Sequence, residues 1–345
     1  MKKIKFLLTA IFALSLTTLL AQEDDASGLT ISGSVDAYYK YDFSDYRPEG
    51  GNTSNIGTSF ASDQNSVSIG MVNLILEQTL GKASFVGDIA FGPRNAGSAG
   101  PGTDVTEPHI QNLYVSYALT DKLTLTAGYM GTFVGYEIIS PTGNFNYSTS
   151  YLFTNGPFQN AGIKAEYAFT DRVSLMVGLF NDWNVYTDFN GVSDFGAQLY
   201  VAPVDGWDVY LNFITGDPSG TEIDLTTGYQ ITDDFYLGLN AANYDAAEGD
   251  AGFVGAALYA QYAFTDGFAL GARFESFKDK DGGILDTADE ASVTALTLSA
   301  NLKSGPLTFI PEIRFDNGNE EMFVDNDLVA TKSAAQAVFA VVYAF

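Results

Sequence analysis

Between residues 29 and 43 the odd positions carry Leu29, Ile31, Gly33, Val35, Ala37, Tyr39, Tyr41 and Phe43, while the even positions carry Thr30, Ser32, Ser34, Asp36, Tyr38, Lys40 and Asp42. Successive side chains of a strand point to opposite faces, so this segment is a strand with one apolar and one polar side. Helical spacing would scatter the same apolar residues around the whole circumference. The period of two recurs to the end of the chain and predicts sixteen strands: 29–43, 66–80, 83–92, 109–119, 123–130, 158–169, 173–182, 193–203, 207–215, 221–231, 235–244, 252–264, 268–278, 291–303, 307–316 and 332–345. In the second of these, Val72, Leu74 and Leu76 are out of phase with Ile69 and Met71, which points to a bulge.

The connections alternate in length. Short ones fall at 81–82, 120–122, 170–172, 204–206, 232–234, 266–267 and 304–306, with longer segments between them at 44–65, 93–108, 131–157, 279–290 and 317–331. An even strand count with tight turns on one rim and long loops on the other predicts an all-β, closed antiparallel transmembrane β-barrel, with short periplasmic turns and long extracellular loops. Closure also removes the exposed edges of an open sheet. A soluble β-sandwich or solenoid would share the alternation. It would not require apolar and aromatic residues on one parity of nearly every strand.

One phrase is reused. "QYAFTDGFAL" at 261–270 is echoed by "SYALTDKLTL" from Ser116, "EYAFTDRVSL" from Glu166 and "GYQITDDFYL" from Gly228, and its first half returns as Tyr343-Ala344-Phe345. Each copy is a tight turn whose preceding aromatics share the apolar parity. Tyr117, Tyr167, Phe169, Tyr229, Tyr262, Phe264, Tyr343 and Phe345 are therefore expected as a periplasmic aromatic girdle at the headgroup level.

Composition refines this picture. Lys2, Lys3 and Lys5, the apolar stretch to Leu20, and Ala21 have the layout of a signal peptide cut after residue 21, with an uncleaved anchor as the alternative. The expected mature chain, residues 22–345, shows no linker or composition break and reads as a single barrel domain. Its net charge falls from −26 to −29 once the three lysines are lost, so nucleic acid is not an expected partner. With no cysteine there is neither a disulfide nor a thiolate nucleophile.

Candidate chemistry lies on the polar parity. The inward acids would be Asp36, Asp42, Glu77, Asp88, Glu166, Asp182, Asp208, Glu222, Asp224, Glu275, Glu312 and Asp316, against the bases Lys40, Lys164, Arg273, Lys303 and Arg314. Pairs such as Arg273 with Glu275 or Arg314 with Glu312 are expected, and the excess of acids predicts a weak cation preference. The segment 131–157 is unusually apolar for a loop, which favours folding inward as a pore constriction built from Phe133, Tyr136, Glu137, Asn144, Asn146 and Tyr147. Glu137 would then face the passage, with Arg273 and Arg314 as candidates for the opposite wall; a surface cap or partner-binding loop is the alternative. His109, the single histidine, is the one candidate for catalysis, but no nucleophile elbow, Walker loop or zincin motif accompanies it. Of the acidic stretches at 279–283 and 316–327, the first lacks the distant Glu of a complete cation loop; solvated loops are expected, with loose Ca²⁺ or Mg²⁺ binding as the alternative, and no metal site or cofactor is assigned.

The stretch "GTFVGYEIISPTGNFNYSTSYLFTNGPFQNAGIKAEY" at 131–167, with "GLFNDWN" at 178–184 and "FGP" at 91–93, resembles the OmpL-like β-barrel porin family. The resemblance implies a Gram-negative outer-membrane channel and supplies no substrate; the leading reading is a porin for passive diffusion of small hydrophilic solutes and ions, with a barrel enzyme using His109 as a lesser rival. It also implies outer-membrane lipid and lipopolysaccharide as surroundings, and Phe345 is similar to the sorting signal read by the barrel assembly machinery. Monomer and homotrimer both remain open. A plugged structural or partner-binding barrel is the rival reading.

Overall fold

The computed structural model describes residues 28–45, 53–94, 109–287 and 290–345. The signal peptide expected over 1–21 lies outside the described residues, as does most of the 93–108 loop. Sixteen strands close into one antiparallel barrel. In chain order they are β1 (Thr30–Asp42), β2 (Val67–Leu80), β3 (Ala83–Phe91), β4 (His109–Ala118), β5 (Leu123–Gly131), β6 (Gln159–Thr170), β7 (Val173–Phe180), β8 (Asp194–Val201), β9 (Trp207–Gly216), β10 (Gly220–Gln230), β11 (Phe235–Asp245), β12 (Gly252–Thr265), β13 (Phe268–Asp279), β14 (Ala291–Ser304) and β15 (Leu307–Gly318), followed after a small hairpin by β18 (Ser333–Ala344). The hairpin, β16 (Phe323–Val324) paired with β17 (Ala330–Thr331), stands apart from the barrel sheet within the last long loop. It was not legible in the alternation, because two-residue strands carry no period.

Each strand pairs with its neighbour in sequence, and β1 closes the circle on β18 with Ser34 opposite Ala344. Gly33 and Phe345 exchange both backbone hydrogen bonds at 3.1 Å, so the last residue completes the seam. Both ends of the barrel chain lie on the rim of short turns. All sixteen strands fall within two residues of the segments that the alternation marks out.

The outward face is apolar along the strands, and the inward face is mostly polar or small, with large apolar residues such as Phe180, Ile214, Phe253 and Phe277 where the loop or neighbouring rings cover them. On β9, for instance, Leu211 is exposed while its neighbours Asn212 and Ile214 are buried. The bulge in β2 is present: Gly70 and Met71 together oppose Asp36 of β1. The Asp36 carboxylate accepts the Met71 N–H at 2.8 Å and fills the space of the missing Gly70 side chain, where a Cβ would sit 1.8 Å from Oδ2. The extra residue reverses the phase, as a bulge must. Val67 and Ile69 point out at 83% and 65% exposure, Met71 is buried at 3%, and Val72 and Leu74 point out again.

Candidate functional site

Loop 132–158 fills part of the barrel, and its aromatic residues sit on glycines of the wall. Added Cβ atoms at Gly196, Gly238 and Gly271 would fall 2.5, 2.3 and 2.3 Å from the rings or hydroxyl of Phe133, Tyr136 and Phe145. Tyr136 also stacks on Tyr259 at 4.1 Å between centroids, and its hydroxyl shares a 2.9 Å hydrogen bond with that of Tyr236. Phe133 packs with Phe180 and Ile214. Close ring-to-backbone approach needs a residue without a side chain, and the sequence supplies one on the inward parity at each seat.

The loop backbone is held by charge. The Tyr147 and Ser148 N–H groups donate to Glu312 at 2.8 and 3.1 Å. The Ser148 carbonyl accepts from Arg273 at 2.7 Å, and the Thr149 carbonyl accepts from both Arg273 (3.1 Å) and Arg314 (2.7 Å). The Ser150 N–H donates to Glu137 at 2.7 Å, and the Tyr151 and Leu152 N–H groups donate to Glu275 at 3.0 and 2.8 Å. These last two have no partner within the first turn of helix α1 (Tyr151–Asn155) and find one in Glu275, while Ser150 caps the helix through the Phe153 N–H. A buried segment without a sheet partner must satisfy its peptide groups somewhere. Here carboxylates and guanidinium groups take that role.

Three sequence expectations are corrected by this arrangement. Arg273 ion-pairs with Glu137 of the loop at 2.5 Å rather than with Glu275. Arg314 pairs with Asp316, two residues along the same face of β15, through Nε (2.7 Å) and Nη2 (2.9 Å), rather than with Glu312. Glu137 does not face a passage: it is 6% exposed and also accepts from the Ser150 and Tyr259 hydroxyls. A carboxylate this deep needs a cation and several donors, and the wall arginine is the cation within reach. Asp182, expected on a strand, lies in the loop beyond β7, where it accepts from Ser193 and Asn190.

The other constriction candidates are also placed. Asn144 staples the loop to itself through the N–H and carbonyl of Ile138, and Asn146 donates to Ser299 at 2.7 Å. The Tyr147 hydroxyl donates to Asp36, and Arg94 lies over the Tyr147 ring at 4.7 Å while its Nε is 3.6 Å from Asp36. Burial pushes the phenols of Tyr147 and Tyr151 well above their ordinary pKa, so both act as donors, Tyr151 to Asp316 at 2.7 Å. Arg94 escaped the sequence reading because it sits past β3, where alternation no longer says which side faces in.

Away from this cluster, Lys40 donates to Ser54 at 2.8 Å, Asp88 accepts from Asn73 at 3.3 Å, and Asp224 takes the Gly135 N–H of the loop at 3.1 Å. Glu222, its neighbour on β10, is buried. Glu77, Lys164, Glu166 and Asp208 lie closer to the short-turn rim and stay half-exposed on the inner wall. His109 begins β4 opposite Ala90. On the outside, Tyr117, Tyr167, Phe169, Tyr262, Phe264, Tyr343 and Phe345 are exposed near the short turns, as is Trp207, whose ring lies 5.5 Å from that of Tyr229.

A closed sixteen-strand barrel, apolar outside and charged inside, with a long loop docked on its inner wall, defines the class of outer-membrane porins. The chain belongs to the family described as "Putative beta-barrel porin-2, OmpL-like", whose profile matches residues 28–345. The fold is similar to that of several solved porin-type barrels. The anion-selective porin from Comamonas acidovorans superposes with a TM-score of 0.60 at 13% identity, covering 92% of this chain and 99% of that one. OmpT of Vibrio cholerae in its trimer form gives 0.59 at 14% (93% and 100%), and Salmonella typhi OmpF in complex with daunomycin gives 0.59 at 13% (92% and 97%). No curated protein sequence matches the chain.

Proposed function

We propose that this barrel is a Gram-negative outer-membrane porin for passive diffusion of small hydrophilic solutes and ions, weakly preferring cations, with loop 131–157 as its constriction. The observation carrying the reading is the inner wall. Polar and charged groups face a closed interior and several of them, Glu77, Lys164, Glu166 and Asp208, remain half-exposed, while the outward face is apolar. Charges on the outward face of a barrel in lipid would cost about 2–4 kcal/mol at mid-membrane, which fixes the polar parity as the wet one. Those four groups carry three negative charges against one positive. The carboxylates of Glu137, Glu275 and Glu312 act elsewhere, on the backbone of the loop, so the preference rests on the uncovered wall and is small. The exposed aromatics at the short-turn rim serve as the interfacial girdle. The residues before Gln22 serve as the export signal, and Phe345 at the seam is the residue offered to the assembly machinery. Lipid and lipopolysaccharide surround the barrel, and a homotrimer is the assembly favoured by the trimeric form of the similar barrel from Vibrio cholerae.

A second reading, a barrel whose lumen is plugged, is favoured by the full burial of Arg273, Arg314 and Glu275 beneath the loop. Single-channel recording in a planar bilayer separates the two. The porin reading expects steady conductance steps, and a reversal potential across a KCl gradient that favours potassium, more strongly at low salt. Absence of steps from correctly inserted protein supports the plug, and anion preference refutes the selectivity. Deleting residues 138–150 is expected to raise conductance with the barrel still folded, because the strand ladder makes its own hydrogen bonds.

A further inference from the structure

On the inner wall near the short turns, three tyrosines meet around one carboxylate. Tyr200 of β8 and Tyr210 of β9 are direct cross-strand partners with ring centroids 4.9 Å apart. The Tyr200 hydroxyl donates to Asp208 at 2.7 Å, two residues before Tyr210 on the same face. Asp208 is opposite Gly228 of β10, and the space over Gly228 holds the Tyr236 hydroxyl, 2.1 Å from where a Cβ would be. On the other side, Ser174 of β7, the register partner of Tyr200, donates to Glu166 at 3.5 Å. Tyr200, Tyr210, Tyr236, Asp208 and Glu166 are all half-buried rather than fully buried, so solute in the lumen reaches them.

The arrangement has a particular chemistry. Among the described residues no ion pair neutralises Asp208, whereas Glu166 has Lys164 two residues away on β6. Rings with negative faces grouped around a carboxylate attract a cation that carries an apolar surface, because the ring quadrupole and the carboxylate act in the same direction. A small inorganic ion gains little from the rings and keeps its water. A neutral sugar could stack on the rings and hydrogen-bond to the carboxylate, but it carries no positive charge for the ring faces and the carboxylate to attract together.

We propose that Tyr200, Tyr210 and Tyr236, with Asp208 between them and Glu166 beside them, form a solute subsite for organic ammonium cations. This deepens the porin reading, on which it rests for access of solute to the inner wall. The subsite would enrich such cations at the short-turn end of the lumen and slow their transit relative to potassium.

The test uses the full-length barrel folded in detergent and choline as the probe, with its uncharged isostere 3,3-dimethylbutanol and glucose as controls, followed by calorimetry or saturation-transfer NMR. Choline is expected to bind and both controls to bind more weakly. Tyr210→Leu should weaken choline about fivefold, Asp208→Asn about tenfold, and Tyr210→Phe, which keeps the ring, should bind as the wild type does. Equal binding of choline and its isostere, or unchanged affinity in Asp208→Asn, overturns the proposal; so does tighter binding of glucose, which would mark a carbohydrate site. If Tyr210→Leu fails to fold, the comparison of choline with its isostere on the wild type decides alone. Conductance in KCl without choline binding sinks the subsite and leaves the porin reading intact. Choline binding without conductance does the reverse.

Discussion

Replacing Arg273 by leucine should release the loop and leave the barrel standing. The guanidinium donates to Glu137 (2.5 Å), the Ser148 carbonyl (2.7 Å), the Thr149 carbonyl (3.1 Å) and Thr297 (3.2 Å). Its loss strands a buried carboxylate, which in proteins costs about 3–5 kcal/mol. Glu137 would keep the Ser150 N–H and hydroxyl and the Tyr259 hydroxyl, and Thr149 would keep Arg314, so the lower end of about 3 kcal/mol applies. At 1.4 kcal/mol per decade the docking equilibrium shifts about a hundredfold. Amide hydrogen exchange reads this directly, because opening free energies differ between parts of one protein. The amides of Tyr147, Ser148, Ser150, Tyr151 and Leu152 should exchange about a hundredfold faster, while those of β14 and β15 hold their rates. Adding Glu137→Gln removes the stranded charge and should recover about tenfold of the loss. Wild-type exchange at those five amides in Arg273→Leu would show that the charges do not hold the loop. Uniform acceleration across the strands would show that loop and barrel do not separate energetically.

Three further outcomes follow from the packing. Gly271→Val places side-chain atoms against the Phe145 ring, so it should destabilise the docked loop by about 1–3 kcal/mol and change single-channel conductance without altering barrel formation on a heat-modifiability gel. Gly70→Ala collides with the Asp36 carboxylate inside the bulge and should lower the denaturant midpoint of the barrel by an amount equivalent to about 1–3 kcal/mol, whereas an equal change at Gly87, where nothing lies within 4 Å, should be nearly neutral. Deleting Phe345 removes two seam hydrogen bonds with Gly33, worth about 1 kcal/mol each, and should slow folding into liposomes; an unchanged folding rate would argue against a role for the seam residue in assembly.

Much of this protein was legible in the order of its residues. A period of two fixes which face each strand residue takes, and seven short turns fix the antiparallel order, so strand number, closure and the inward set from Asp36 to Arg314, Asp182 excepted, were readable. The phase slip at Met71 gave away the bulge for the same reason. Parity says nothing about height along the barrel or about what stands opposite across the lumen. Whether Arg273 meets Glu275 or Glu137 therefore depends on where a 27-residue loop comes to rest, and that loop has no period to read. Its resting place is set by peptide groups that need donors and acceptors, by rings that need glycine seats, and by a buried carboxylate that needs a cation. The gathering of Tyr200, Tyr210 and Tyr236 around Asp208 has the same origin, since register across four strands brings together residues that lie 36 apart in the chain. Local pattern determined the wall; only the closed tertiary structure decided what its inner face holds.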